Sequence, residues 1–441
     1  MNKTISAEKI DINKKILFYF IILIFLYLTS EMLAFLTHFI LKKEIFSWAT
    51  YQTIRKEIIE PSTSTMVEES GIFYDGKGVQ VLHPYLGTVS TPKPAVNPKA
   101  NWVSEYGFRG EGLMPPLSPK TNNNVIVGIF GGSFAAGTSL KAKNVLREYL
   151  QRLPQYQNKE FLIHTIAWGG YKQPQQLLAL AYFLSLGGYF DIVINLDGFN
   201  EVVLPAVENV PKQVFPFFPR DWFGKVYTFR DSSMLAMIGK IAFFTEKQKD
   251  WAKLFIQTPL RYSILSNLVW DYYNNLLNNQ IVNYEIEFTQ YKIPKMTKLS
   301  YLVTRPTFHY ANDNELSQDL ATMWRRSSIQ MYNLCFQNGS QYFHFLQPNQ
   351  YVVNSKILSR EELQTAFQSD HIYKKWVELG YPYLIKEGEY IKQQGIRYYN
   401  LSMIFANNTE PLYVDTCCHL NEKGSEIIAE TIGKILLQEI K

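Results

Sequence analysis

From Asn124 onward, short runs of apolar residues alternate with amphipathic stretches, and that alternation leaves the chain few possible folds. VIVGIF (125–130), EFLIHTIAW (160–168) and FDIVINLDG (190–198) read as strands; LREYLQRL (146–153) and QPQQLLALAYFLSL (173–186) read as helices between them. Strands with no polar face must be covered on both sides, so the pattern predicts a parallel sheet flanked by helices. The rhythm is broken over residues 202–312, an aromatic-rich insertion with breakers at LPAVENVP and VFPFFPRD and helices expected near 233–245 and 262–278. Such an insertion could form a cap. The rhythm resumes with a helix over 315–336, a strand at YFHFLQP (342–348), a helix over 381–394 and a strand at IRYYNLSMI (396–404). A last helix over 421–439 follows, capped by Asn421. The expected class is α/β, with one doubly wound, five-stranded parallel sheet over 123–441, interrupted by the insertion. Ligands in such sheets sit at the carboxyl ends of the strands.

The segments before the sheet have a different composition. Ile16 to Phe35 is a run of about 20 residues, enough to cross a bilayer, with Glu31 near one end. No small-x-small cleavage site follows Leu28, so residues 1–45 are expected to be an uncleaved single-pass anchor with its flanks. Lys3, Lys9, Lys14 and Lys15 precede the span, and Lys42, Lys43, Arg55 and Lys56 follow it, so charge does not orient it. Residues 46–122, with STPKPAVNPKAN and LMPPLSPKTNNN, read as an irregular extension wrapped onto the domain. A net charge of +5 over 441 residues, with no Lys/Arg stripe, argues against a nucleic-acid partner. Cys335, Cys417 and Cys418 make neither a disulfide framework nor a zinc site. The vicinal pair beside His419 reads as packing near a loop, and no metal or cofactor is expected.

In NNVIVGIFGGSFAAGTS (123–139) an apolar run breaks into small residues around Ser133. Three chemistries fit such a turn. A phosphate loop would need a lysine where Thr138 stands. The nucleophile elbow of α/β-hydrolases nearly fits GGSFA, but here the serine follows the first clear strand, and Asp415 and His419 share one short segment. The third is that GGSFAAG resembles the first block of the SGNH, or GDSL-type, hydrolases. TIAWGGYKQPQQL (165–177) is similar to the second block, GFNE (198–201) to the third and VDTCCHLNEKG (414–424) to the last. LHPYLG (82–87) and GFRGE (107–111) look like the lead-in of membrane-anchored members. The likeness covers about 121–201 and 315–441.

The resemblance implies a flavodoxin-like fold and a serine esterase in which Ser133 attacks an ester, His419 is the base and Asp415 orients it. The backbone N–H groups of Ser133 and Gly170 and the side-chain amide of Asn200 would form the oxyanion hole. Glu201 stands where the family has Asp. The family spaces its last block D-x-x-H; here Asp415 lies four residues before His419, with Thr416 at the usual place. Either the extra residue bulges so that Asp415 still reaches the ring, which we favour, or Ser133 and His419 form a dyad helped by a backbone carbonyl. Anchored relatives face the outside of the cell and act on acyl groups of glycans or envelope polymers, so an acylated small molecule or glycan is the implied substrate. Two other functions fit the same residues: O-acyl transfer to a sugar hydroxyl, and a degenerate glycan-binding scaffold. His344 and Gln347, near the end of the fourth strand, are candidates for substrate contact, although polar residues at strand ends more often only satisfy backbone groups.

Overall fold

The computed structural model describes residues 12–59, 72–74, 79–92, 103–112, 116–227, 232–290 and 301–440. Its strands are β1 (Ile72–Tyr74), β2 (Val79–His83), β3 (Gly87–Ser90), β4 (Asn124–Gly131), β5 (Glu160–Ala167), β6 (Ile192–Asp197), β7 (Gln341–Leu346) and β8 (Tyr398–Asn400). The first eight helices are α1 (Ile12–Lys42), α2 (Trp48–Ile59), α3 (Ser133–Leu150), α4 (Gln175–Ser185), α5 (Phe199–Leu204), α6 (Trp222–Tyr227), α7 (Ser232–Gln257) and α8 (Ile264–Gln290). The rest are α9 (Tyr301–Thr304), α10 (Asp313–Gln337), α11 (Arg360–Thr365), α12 (Ile372–Gln393) and α13 (Glu422–Glu439). By internal contacts the chain divides into two compact units, Met1–Ser70 with Thr228–Lys295, and Gly71–Tyr227 with Met296–Lys441.

In the first unit, α1 is long and apolar enough to cross a membrane, with a mean hydropathy of 2.2 over its most apolar window and none of that window buried. The two long helices of the insertion, α7 and α8, form a hairpin. α2 packs on α7, and α1 on α8. Phe46, Tyr51, Ala252, Phe255 and Trp270 make a small core. Arg55 is buried in it, with its guanidinium 4.2 Å from the Trp270 ring and donating to Asn267 Oδ1 at 2.5 Å. A cation is tolerated there because the ring faces and the amide replace its water.

The second unit carries the five-stranded sheet, in the order β5-β4-β6-β7-β8 with every pair parallel. All eight residues of β4 and all six of β6 are buried, as expected of strands apolar on both faces. α3 packs on α13, and α10 on α12. A Cβ on Gly433 of α13 would press into the Tyr149 ring of α3, so a glycine there lets the two helices close up. α3 begins thirteen residues before the helix expected at 146–153, because its first turns are built from Ala135, Ala136 and Gly137, which carry no apolar periodicity. α12 likewise starts at Ile372, with the His371 ring accepting from the Tyr373 N–H, and runs through Pro382.

The extension forms the antiparallel β1-β2-β3 sheet. Residues 103–109 turn back on themselves, with Val103 bridging Arg109, and Arg109 in turn bridges Thr165 at the outer edge of β5. Glu111 ties that segment down through Arg147 (2.6 Å), Lys143 (2.9 Å) and the Ile163 N–H (3.0 Å). An open strand edge is thereby covered. Most of STPKPAVNPKAN lies outside the described residues.

Candidate active site

Gly131 at the end of β4 pairs with both Ala167 of β5 and Leu196 of β6, so the three carboxyl ends are level. β5 lies to one side of β4 and β6 to the other, making β4 the point where the strand order reverses. A crevice opens at such a point. Ser133 follows β4 by two residues, Gly170 follows β5 by three, and Asn200 follows β6 by three.

Ser133 is the first residue of α3, half-buried, behind Gly131 (φ +150) and the extended Gly132. Its hydroxyl makes no hydrogen bond among the described residues. The helix N-terminus presents unpaired N–H groups at this point. Asn200 is 7% exposed, and its Nδ2 donates to the Tyr171 carbonyl at 2.8 Å. A Cβ on Gly132 would overlap that same Nδ2, which places the amide against the residue preceding Ser133. An amide carries two N–H bonds, so one orients it and one is left to donate. Gly170, in the left-handed region at φ +78, turns the chain into Tyr171. Ser133, Gly170 and Asn200 therefore gather at one crevice. In the oxyanion role that the resemblance implies, Asn200→Ala would lower kcat for ester hydrolysis roughly 10²–10³-fold with KM little changed, read from steady-state rates beside a melting curve. An unchanged kcat would take that role from Asn200.

The last block is held by Asp415 itself. Its Oδ1 accepts from the N–H groups of Cys417 (3.0 Å), Cys418 (3.1 Å) and His419 (3.2 Å), while Oδ2 receives His419 Nδ1 at 2.5 Å. Asp415 thus reaches the ring despite the extra residue, because the loop turns around the carboxylate. Burial alone would raise the Asp415 pKa, but the His419 ring and the backbone N–H groups hold it down at about 2. An ionised carboxylate at Nδ1 requires that nitrogen to carry the proton, leaving Nε2 with the lone pair a base needs. The Leu420 carbonyl, one residue on, accepts from Lys141 of α3. That bond ties the histidine loop to the helix Ser133 begins.

The thiols of Cys417 and Cys418 and the His419 ring nitrogens lie within 4.8 Å of one another. His419 Nδ1 is already occupied by Asp415, and burial pushes the Cys418 thiol well up, away from the thiolate a metal needs.

His344 and Gln347 are buried, at 0% and 2% exposure, which favours the reading that they satisfy neighbouring groups over substrate contact. His344 is fully enclosed, with Nε2 2.9 Å from Asp197 Oδ1 and Nδ1 2.8 Å from Ser328 Oγ. The Trp324 indole and the Asn195 amide also donate to Asp197, at 2.7 and 2.8 Å. This Asp–His–Ser chain has the residue types of a hydrolase triad, but no member is more than 1% exposed. It is a buried polar network under the strand ends in which Asp197, His344 and Ser328 bond one another. Glu201 works similarly. Its Oε2 accepts from the Gly198 N–H (2.8 Å) and Oε1 from Gln176 Nε2 (3.0 Å), fastening the loop that carries Asn200. Burial, with Asp197 nearby, pushes its pKa up.

Two groups at the crevice carried no sequence signal. Arg220 lies over Gly170, where a Cβ on the glycine would overlap its Cδ. Glu208 pairs with it, Oε2 receiving Nε at 3.2 Å and Oε1 receiving Nη2. Asn209 holds the loop before it by donating to the carbonyls of Phe218 (3.0 Å) and Pro219 (3.3 Å). Lys172, two residues after Gly170, is buried with Nζ on the Pro216 carbonyl at 2.8 Å, and burial lowers its pKa to about 7. The β2–β3 hairpin backs the same loop, with Thr88 O receiving the Tyr171 hydroxyl (2.6 Å) and Leu86 O receiving Gln175 Nε2 (2.9 Å).

Comparison with protein-family models and with curated proteins finds no match to this chain.

Proposed function

We propose that this chain is a membrane-anchored serine esterase of SGNH type that cleaves acyl esters on glycans or envelope polymers, with its sheet unit outside the cytoplasm. The observation that carries the reading is the Asp415–His419 contact at 2.5 Å, on a loop tied to the helix that starts with Ser133. The strand order also supports it: counted from β4 it is the 2-1-3-4-5 arrangement of flavodoxin-like sheets. Ser133 Oγ attacks the carbonyl as His419 Nε2 takes its proton. The oxyanion draws on the Ser133 and Gly170 N–H groups and the Asn200 amide. His419 then protonates the leaving alcohol, and water repeats the sequence on the acyl-enzyme. Intact-mass measurement after fluorophosphonate treatment tests this. One adduct is expected on the parent, lost in Ser133→Ala and slowed in His419→Ala. No adduct on folded parent protein would end the reading.

Arg220 indicates which esters are favoured. Its Nη1 makes no hydrogen bond among the described residues, and the side chain is 39% exposed. A carboxylate or phosphate near the scissile ester would receive a charge-assisted bond from it. Arg220→Gln is expected to raise KM roughly 10-fold for an anionic ester and to leave a neutral ester unaffected. Equal effects on both would assign Arg220 to loop packing instead.

A further inference from the structure

We infer that the turn between α7 and α8 enters the bilayer beside α1, as a re-entrant element that contacts lipid. The inference rests on the reading of α1 as the membrane anchor. Between Lys15 and Lys42 the only residue of α1 with a full charge is Glu31. A hydrocarbon core takes about 20 helical residues. Every stretch of that length between Ile16 and Leu41 contains position 31, so Glu31 lies inside the apolar slab in any register that keeps the lysines in water. With the span at 16–35, Glu31 is ~6 Å inside one boundary; with the span at 22–41 it is ~15 Å inside.

A carboxylate at that depth needs donors, and they come from the insertion. Glu31 Oε2 receives the Ile264 N–H at 2.6 Å, and Oε1 receives the Ser263 hydroxyl. The start of α8 therefore sits at the depth of Glu31. Further along both helices, Lys42 pairs with Asp271 at 2.9 Å. α8 thus climbs alongside α1 toward the water, and its first turn points into the slab.

The turn is built for such a place. Irregular backbone at membrane depth is tolerated only where it is buried against protein and its polar groups find partners there, leaving side chains to meet the lipid. Here Asn267 Nδ2 donates to the carbonyls of Arg261 (2.9 Å) and Ser263 (2.6 Å), and Trp48 Nε1 to that of Tyr262 (3.2 Å). The Ser263 N–H bonds the Leu260 carbonyl at 3.2 Å. The Arg261 guanidinium donates through Nη1 to the Ile256 carbonyl and through Nη2 to the Tyr262 hydroxyl, while its Nε has no partner among the described residues. Most of what faces outward at the turn is apolar: Leu260 and Leu265 are each 43% exposed, Tyr262 61% and Val269 52%, with Gln257 at the end of α7 also exposed. Continuity with α1 identifies the occupant of this face as lipid.

The test is fluorescence of the full chain in phosphatidylcholine vesicles, with an environment-sensitive amino acid placed singly by codon suppression at Leu260, Tyr262, Asn279 or Leu23. Probes at 260 and 262 are expected to emit to the blue, lose most of their intensity to doxyl groups on the lipid chains, and resist iodide. The probe at Asn279 should do the reverse. Glu31→Ala should raise iodide quenching at position 262 several-fold without loss of helix by circular dichroism. If the Leu23 probe is lipid-quenched while 260 and 262 are reached by iodide, the inference fails and the anchor stands. Protection of 260 and 262 from both quenchers would mean that protein covers the turn, and would also overturn it. If Leu23 itself is reached by iodide, the anchor reading falls and takes the inference with it.

Discussion

Ser133→Ala is expected to lower kcat for ester hydrolysis roughly 10⁶-fold, to the level left by binding and oxyanion stabilisation alone. The size follows from the absence of any substitute nucleophile in the proposed step. The variant should fold as the parent does. The Ser133 hydroxyl makes no hydrogen bond among the described residues, and alanine is well suited to the first turn of α3. Stability is therefore expected to move by no more than about 0.5 kcal/mol. Steady-state hydrolysis beside a melting curve separates chemistry from folding. A variant that keeps the parent's rate would remove Ser133 from the reaction, and with it the esterase reading.

Asp415→Asn is expected to cost roughly 10⁴-fold in kcat. The asparagine Oδ1 can still accept from the N–H groups of Cys417, Cys418 and His419, so the loop keeps its shape. Its Nδ2, however, donates to His419 Nδ1, which forces the ring proton onto Nε2 and removes the base. A loss of less than about 10-fold would favour a Ser133–His419 dyad. The pH dependence follows from the same contact. The carboxylate is held at about 2, below its ordinary value near 3.9, so its contribution to stability is complete above that value. That contribution is lost as pH falls from about 4 to about 2. At milder pH Asp415 stays charged.

The central strands were legible because burial on both faces demands continuous apolar runs, and VIVGIF and FDIVINLDG are such runs wherever they pack, whereas of the strand expected at 396–404 only Tyr398–Asn400 pairs, with Tyr398 alone buried. The start of α3 was not, since Ala135, Ala136 and Gly137 supply no large side chain to mark the period. At the last block, D-x-x-x-H left it open whether Asp415 could reach the ring. The answer lay in three backbone N–H groups that converge on one carboxylate oxygen, and residue identity does not encode that convergence. His344 illustrates the converse. A histidine near a strand end has the same letters whether it faces a crevice or, as here, is enclosed by Trp324, Ser328 and Asp197.

The sequence by itself determined the order of strands and helices, the apolar length of α1 and the small-residue turn at Ser133, because periodicity, hydropathy and steric permission are properties of neighbouring residues. Only the tertiary structure decided that the strands are ordered with β4 at the reversal, that Arg220 covers Gly170 and that Glu31 receives the start of α8. These are contacts between residues tens to hundreds of positions apart. Their partners are selected by the packing of whole elements, which no local pattern records.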